Sequence, residues 1–202
     1  MADQAPPSDT DGTSETTRDR LVRAMIEVVG SDGLAAASVR TIARRAGCNE
    51  AVLYQHFPSK LAMQQAIYEE IVTEMAEAKR RISESATDLP MLIDGWIRES
   101  YRFYDLNPAA FAYVHLSFPQ LPLSDPAIAT ENSRLFMAAF DRLDPALARR
   151  MESEPTILAM VKNVMLSIPR EIHEGLLEGP AIDHADEVVV ATRSIILGSD
   201  PG

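Results

Sequence analysis

An all-α fold is what this sequence predicts, and three observations carry the prediction. Apolar residues recur at helical spacing along most of the chain, no stretch alternates as a strand does or offers an Asn-Gly hairpin turn, and nearly all prolines fall at the edges of the helical runs. The 202 residues are 46 % hydrophobic and 24 % charged, an ordinary balance that can bury a real core. Cys48 is the one cysteine, so no disulfide can form within the chain. The opening residues have no basic segment followed by an apolar run, and no apolar stretch reaches membrane-spanning length. A soluble, reducing, cytoplasmic setting without a membrane partner is the expectation.

Taken in order, residues 1–14 are rich in Pro, Asp, Ser and Thr and read as a disordered tail. Helical periodicity begins near Glu15, with Leu21, Met25, Val28 and Val29 on one face, and is expected to stop at Gly30-Ser31-Asp32-Gly33. Ser38 stands before a short amphipathic run, Val39, Ile42, Ala43 and Ala46, closed by Gly47. Asn49 opens the next, Glu50 to His56, which ends at Phe57-Pro58. Ser59 caps a long segment (60–82) with Leu61, Ile67, Ile71, Met75 and Ile82 on one side. Further helices are expected near 90–105, 108–117, 125–142, 154–174 and 184–197. Pro169 lies inside one of them and predicts a kink.

The net charge of −11 argues against nucleic acid, because neutralising phosphates needs Lys and Arg. Its distribution argues the other way. Residues 15–60 carry seven basic and five acidic groups, whereas residues 61–202 carry 12 basic and 22 acidic. The net-positive portion is the first helical segment, as suits a small DNA-facing module on an acidic body.

Residues 38–60 hold the most specific signal. Two short helices joined at Ala46-Gly47-Cys48 make a helix-turn-helix. Ala43 and Ala46 are small where the helices must approach, Gly47 can take the left-handed conformation, and Asn49 is a strong N-cap. Ile42, Leu53 and Phe57 can point inward. The spacing of Thr41, Ile42-Ala43, Ala46-Gly47, Asn49, Leu53-Tyr54-Gln55-His56-Phe57 and Ser59-Lys60 resembles the DNA-binding domain of the TetR family of transcriptional regulators. The resemblance covers 15–82 in pattern and 38–60 nearly position by position.

That resemblance implies a three-helix helix-turn-helix DNA-binding domain over 15–60 and a helical ligand-binding and dimerisation domain over 61–198. Asn49 to His56 would be the recognition helix in a major groove. Thr41, Tyr54 and His56 would bond phosphates, with Arg44 able to touch the backbone and Lys60 adding charge at the start of the next helix. Glu50, Ala51, Val52 and Gln55 would face base edges, Gln55 suiting adenine and Ala51 or Val52 a thymine methyl. Ala51 stands where the family often has Gly, and Glu50 is equally a first-turn acid favoured by the helix dipole.

Residues 90–142 hold nine of the chain's Phe, Tyr and Trp residues. Trp96 and Phe103 lie seven apart, Phe111, His115 and Phe118 follow a helical stripe, and Phe136 and Phe140 sit four apart. By resemblance these helices enclose a small, mostly apolar effector. Trp96, Phe103, Phe111, His115, Phe118, Phe136 and Met165 are the candidates to line its site, with Ser100 and Tyr104 as further polar tips. The last two helices would pair with a second copy of the chain.

The expected function is a ligand-responsive repressor that binds a palindromic DNA operator as a homodimer. The alternative is a helical protein-interaction module whose helix-turn-helix does not bind DNA. No phosphate loop, nucleophile elbow or metal-spaced His or Cys set is present, so neither an enzyme, a metal nor a cofactor is expected.

Overall fold

The computed structural model describes residues 15–117 and 126–197. The expected tail, 1–14, lies outside them. The described residues form α-helices joined by short turns, with no strand among them.

The first helix, α1 (Thr17–Asp32), starts in a capping box. The Thr16 hydroxyl accepts from the Asp19 amide and the Asp19 carboxylate accepts from the Thr16 amide, both at 3.1 Å. Its buried stripe is Leu21, Ala24, Met25, Val28 and Val29. The helix runs through Gly30 rather than stopping there. Gly30 serves packing, since a Cβ on it would meet the Ala109 Cβ at 3.1 Å. The turn falls at Gly33, with φ +78°.

Next come α2 (Val39–Arg45), α3 (Glu50–His56) and the long α4 (Lys60–Ser85). Helix α4 extends three residues past the expected end at 82. The Arg142 guanidinium donates to the carbonyls of Ser83 and Ala86 at 2.7 and 2.8 Å, supplying the donor that the free carbonyls at a helix end need.

Beyond it lie α5 (Leu89–Leu106), α6 (Pro108–Ala112), α7 (Pro126–Leu143), α8 (Pro145–Ser153), α9 (Pro155–His173) and α10 (Ala185–Leu197). The expected 108–117 helix divides, because α6 passes into a π-helical turn over Tyr113–Ser117. Helix α8 falls where no helix was expected. Asp144 accepts from the amides of Ala146 and Leu147, Pro145 takes the first helical position, and Leu147, Ala148 and Met151 are buried. Helix α9 continues through Pro169, which is buried within it.

One apolar cluster runs from Leu21 in α1 to Ile196 in α10. Helix α4 packs against α5 and α7, and α10 against α5 and α9. The Asp105 carboxylate accepts from the Ala181 and Ile182 amides at 2.7 and 3.0 Å, fixing the chain's entry into α10 on the end of α5.

Candidate nucleic-acid interface and internal cavity

The helix-turn-helix is set by its caps. Ser38 Oγ accepts from the Thr41 amide at 3.1 Å and lies 2.8 Å from Thr41 Oγ1, so Thr41 is tied into the start of α2. Helix α2 ends in a Schellman arrangement. The Cys48 amide donates to the Ala43 carbonyl at 3.0 Å and the Gly47 amide to the Arg44 carbonyl at 3.2 Å. Gly47 has φ +69°, a conformation that glycine enters without strain. The half-buried Cys48 packs against the core as the turn's plug. Asn49 Oδ1 then accepts from the Val52 amide at 3.1 Å and starts α3.

Helix α3 is short, and its two sides are unlike. Leu53 is fully buried and Phe57, just past its end, is 4 % exposed. Tyr54 is 54 % exposed, and Asn49, Glu50, Ala51, Gln55 and His56 are also exposed, with Val52 half-buried. Of the ten residues expected to meet DNA, seven thus lie on α3 or at its cap, Thr41 and Arg44 lie on α2, and Lys60 starts α4.

The cations around it fall into two groups. Arg45 pairs with Glu27 at 3.2 Å, and Arg18 pairs with Glu70 while lying 5.4 Å over the Phe57 ring. Arg44 and Lys60 form no ion pair among the described residues, and neither does Arg40. Arg40 was not singled out from the sequence. Its position four residues before Arg44 on α2 is the signal that places the two on one side.

A cavity of about 200 Å³ lies between α4, α5, α7, α9 and the π-helical turn. Of the seven residues expected to line a ligand site, Trp96, Phe111, His115, Phe136 and Met165 do so. Rings stack along its wall, Trp96 on Phe136 at 4.7 Å and Phe111 on His115 at 4.6 Å. Phe103 is not at the cavity and is half-buried against the core. Phe118 lies outside the described residues. Ser100 lines the cavity, its hydroxyl donating to the Trp96 carbonyl at 2.8 Å, but Tyr104 packs edge-on against the far side of the wall at Phe111, 5.3 Å away.

The sequence reading expected a mostly apolar site, and the cavity wall adds Lys79 and Asn132. Lys79 is 5 % exposed, with Nζ 5.0 Å over the Trp96 ring. Burial pulls its ammonium down to about 8, the charge of Glu99 opposing the shift. Burial, with the Lys79 charge added, pulls the His115 imidazole down to about 3, so it is neutral at physiological pH. Within Lys79-Arg80-Arg81 the lysine reads as part of a solvated basic run. Its register tells otherwise, since it stands seven after Val72 and four after Met75 on the buried stripe of α4.

No group of His, Cys, Asp or Glu among the described residues is placed to hold a metal ion, and no described helix is long and apolar enough to cross a membrane.

Comparison with known proteins fits this geometry. Residues 21–67, from α1 into α4, match the family model of bacterial regulatory proteins, tetR family. The chain is 28 % identical over 167 residues to the HTH-type transcriptional regulator BetI of Stenotrophomonas maltophilia, spanning 77 % of this chain and 82 % of that one. Two solved structures share the fold. A TetR family transcription regulator from Marinobacter aquaeolei superposes with a TM-score of 0.68 at 18 % identity, covering 89 % of this chain and 94 % of the other. The regulator FadR from Bacillus subtilis, solved in complex with stearoyl-CoA, gives 0.67 at 13 % identity, covering 90 % and 98 %. Over residues 21–67 the helix-turn-helix thus matches the tetR family of bacterial regulatory proteins, and the whole chain shares the fold of solved TetR-family regulators.

Proposed function

We propose that the chain is a repressor that binds a palindromic operator as a homodimer and leaves it when a small organic molecule fills the cavity. In this reading residues 15–60 form the DNA-binding head, residues 61–198 form the sensing and dimerising body, and the protein works in the cytoplasm. The observation that carries it is the open polar side of α3, with Tyr54 54 % exposed and Arg40, Arg44 and Lys60 beside it without ion pairs among the described residues.

Helix α3 enters the major groove. Gln55 reads an adenine edge by a bidentate bond, while Ala51 and Val52 meet thymine methyls. Tyr54, His56 and Thr41 bond phosphates, and Asn49, whose Oδ1 holds the cap, keeps its amide N–H free to do the same. Glu50 disfavours close phosphate approach at the helix start, which limits binding to sequences that offer it a cytosine amino group. The acidic body keeps affinity for other DNA low.

The path from cavity to DNA is short. Val114 and His115 of the π-helical turn line the cavity, and the Tyr113 hydroxyl next to them donates to the Gln64 carbonyl at 3.1 Å, in the first turns of α4. Lys60 begins that same helix. A ligand pressing on the turn moves α4, and with it the separation of the two recognition helices.

The test is binding to DNA from upstream of the chain's own gene, followed by fluorescence anisotropy across a salt series. Affinity should fall steeply with salt. The Tyr54→Phe, Lys60→Ala double variant, altered only at exposed or half-exposed positions, should bind more weakly and lower the salt slope by about 2 per dimer. Unchanged affinity in that variant, or binding indifferent to salt, would instead indicate the protein-interaction module.

A further inference from the structure

We infer that the cavity takes an organic acid, a compact apolar body carrying one carboxylate that seats against Lys79. This names the ligand class of the sensing site and rests on the ligand-responsive reading above.

An ammonium buried among apolar groups is costly unless paired. Lys79 has no hydrogen bond or ion pair among the described residues, and its Nζ lies 5.0 Å from the centre of the Trp96 ring. The carboxylate whose charge acts on it, Glu99 on α5, is instead 3.8 Å from Arg102. Nor does any other wall residue answer the charge. Among the described residues no Asp or Glu lines the cavity, whereas a second lysine, Lys162 of α9, does.

A second orphan lies across from it. Asn132 of α7 lines the cavity, and its Oδ1 is buried with no hydrogen-bond partner. Turned about, the same side chain offers an N–H donor at that position. His115, held neutral, supplies a ring N–H donor from the π-helical turn, and Ser133 a hydroxyl. Donors and cations thus converge on a wall otherwise built of Trp96, Phe111 and Phe136, within a body that is strongly acidic overall. An anion with an apolar body satisfies both halves of that surface.

Volume bounds the body. A cavity of about 150 Å³ accepts a benzene ring. The roughly 200 Å³ here suits a monocyclic aromatic acid or an aliphatic acid of medium length, not a nucleotide-bearing thioester.

Calorimetric titration of the full chain with phenylacetate and octanoate tests this, against the neutral phenylacetamide and octanamide and against octanoyl-CoA. The acids should bind at least about tenfold more tightly than their amides, the factor that one charge-assisted bond supplies. Lys79→Met should remove that preference, so that acid and amide bind alike, and Lys79→Arg should restore part of it. Trp96 is the only tryptophan, so its emission should shift on binding in the wild type. Equal affinity for acid and amide, undiminished acid binding by Lys79→Met, tighter binding of the thioester, or no binding of either acid would overturn the inference. Release of operator DNA is measured separately. Acid binding without release would leave the carboxylate site standing and sink the effector role.

Discussion

Gly47 holds φ +69° at the turn between α2 and α3, and a Cβ built there meets no atom within 4 Å. The cost of Gly47→Ala is therefore backbone strain alone, about 1–2 kcal/mol, and should appear as a lowered urea midpoint with unchanged slope. Lys79 sets a different local balance. Its ammonium ionises near 8 in the folded chain against an ordinary 10.5, so between those values the unfolded state holds more protons. Stability must then rise with pH through that window, by up to roughly 3 kcal/mol, and the burial penalty is fully present below it. Glu99 on α5 reduces the shift, while Lys162 on α9 and the neutral His115 add no carboxylate. Lys79→Met should be more stable than wild type near pH 7 and lose more than half of that advantage by about pH 9.5, read from urea melts at both. Equal stability of the two proteins at both values would show that Lys79 is solvated in the folded state. Sequence distinguishes these residues unequally. Gly47 is legible because a helix-turn-helix needs a left-handed glycine there, and Tyr54 and Phe57 divide by spacing alone. The burial of Lys79 depends on α5 and α7 packing over α4, which no local pattern records.

The turn of π-helix over Tyr113–Ser117 lies between the cavity and α4, and the proposed mechanism runs through it. It touches α1 and α4 on one side and presents Val114 and His115 to the cavity on the other. Single π-helical turns are rare and recur at functional sites. Tyr113→Phe removes the bond to the Gln64 carbonyl and should cost about 1 kcal/mol of stability. Its larger effect should be on coupling. Ligand affinity should stay near wild type, while the ratio of DNA affinities without and with ligand, typically worth ~1–3 kcal/mol, shrinks toward one. A variant that binds ligand and still releases DNA normally would remove the turn from the pathway. Neither this turn nor α8 was read from the sequence. Five residues of α-helix before the turn and nine in α8 are too short for periodicity to register, and Asp144-Pro145 passes for a simple break although it is a good helix start. The longer helices were legible because each buries a continuous stripe.

At the scale of the molecule the question is what covers α9 and α10. Met160 on α9 is 48 % exposed, and Val190 and Leu197 on α10 are 64 % and 49 % exposed, beside the half-buried Val164, Ile168 and Ile195. Solvated helices seldom keep so many large apolar residues exposed, and a second copy is the occupant that the proposed palindromic operator calls for. A single seven-residue recognition helix offers few contacts, so most operator affinity should come from two heads engaging at once. Replacing Met160 and Val190 with Glu places charge on the apolar surface without touching the buried core. The variant should sediment as a folded monomer with wild-type helicity. Its operator affinity should drop by roughly 10²–10⁴, the gain that linked binding provides, while its affinity for a single half-site stays the same. A variant that remained dimeric would move the interface elsewhere. One that became monomeric yet held the full operator unimpaired would show that each head binds alone, and the palindrome would lose its physical basis.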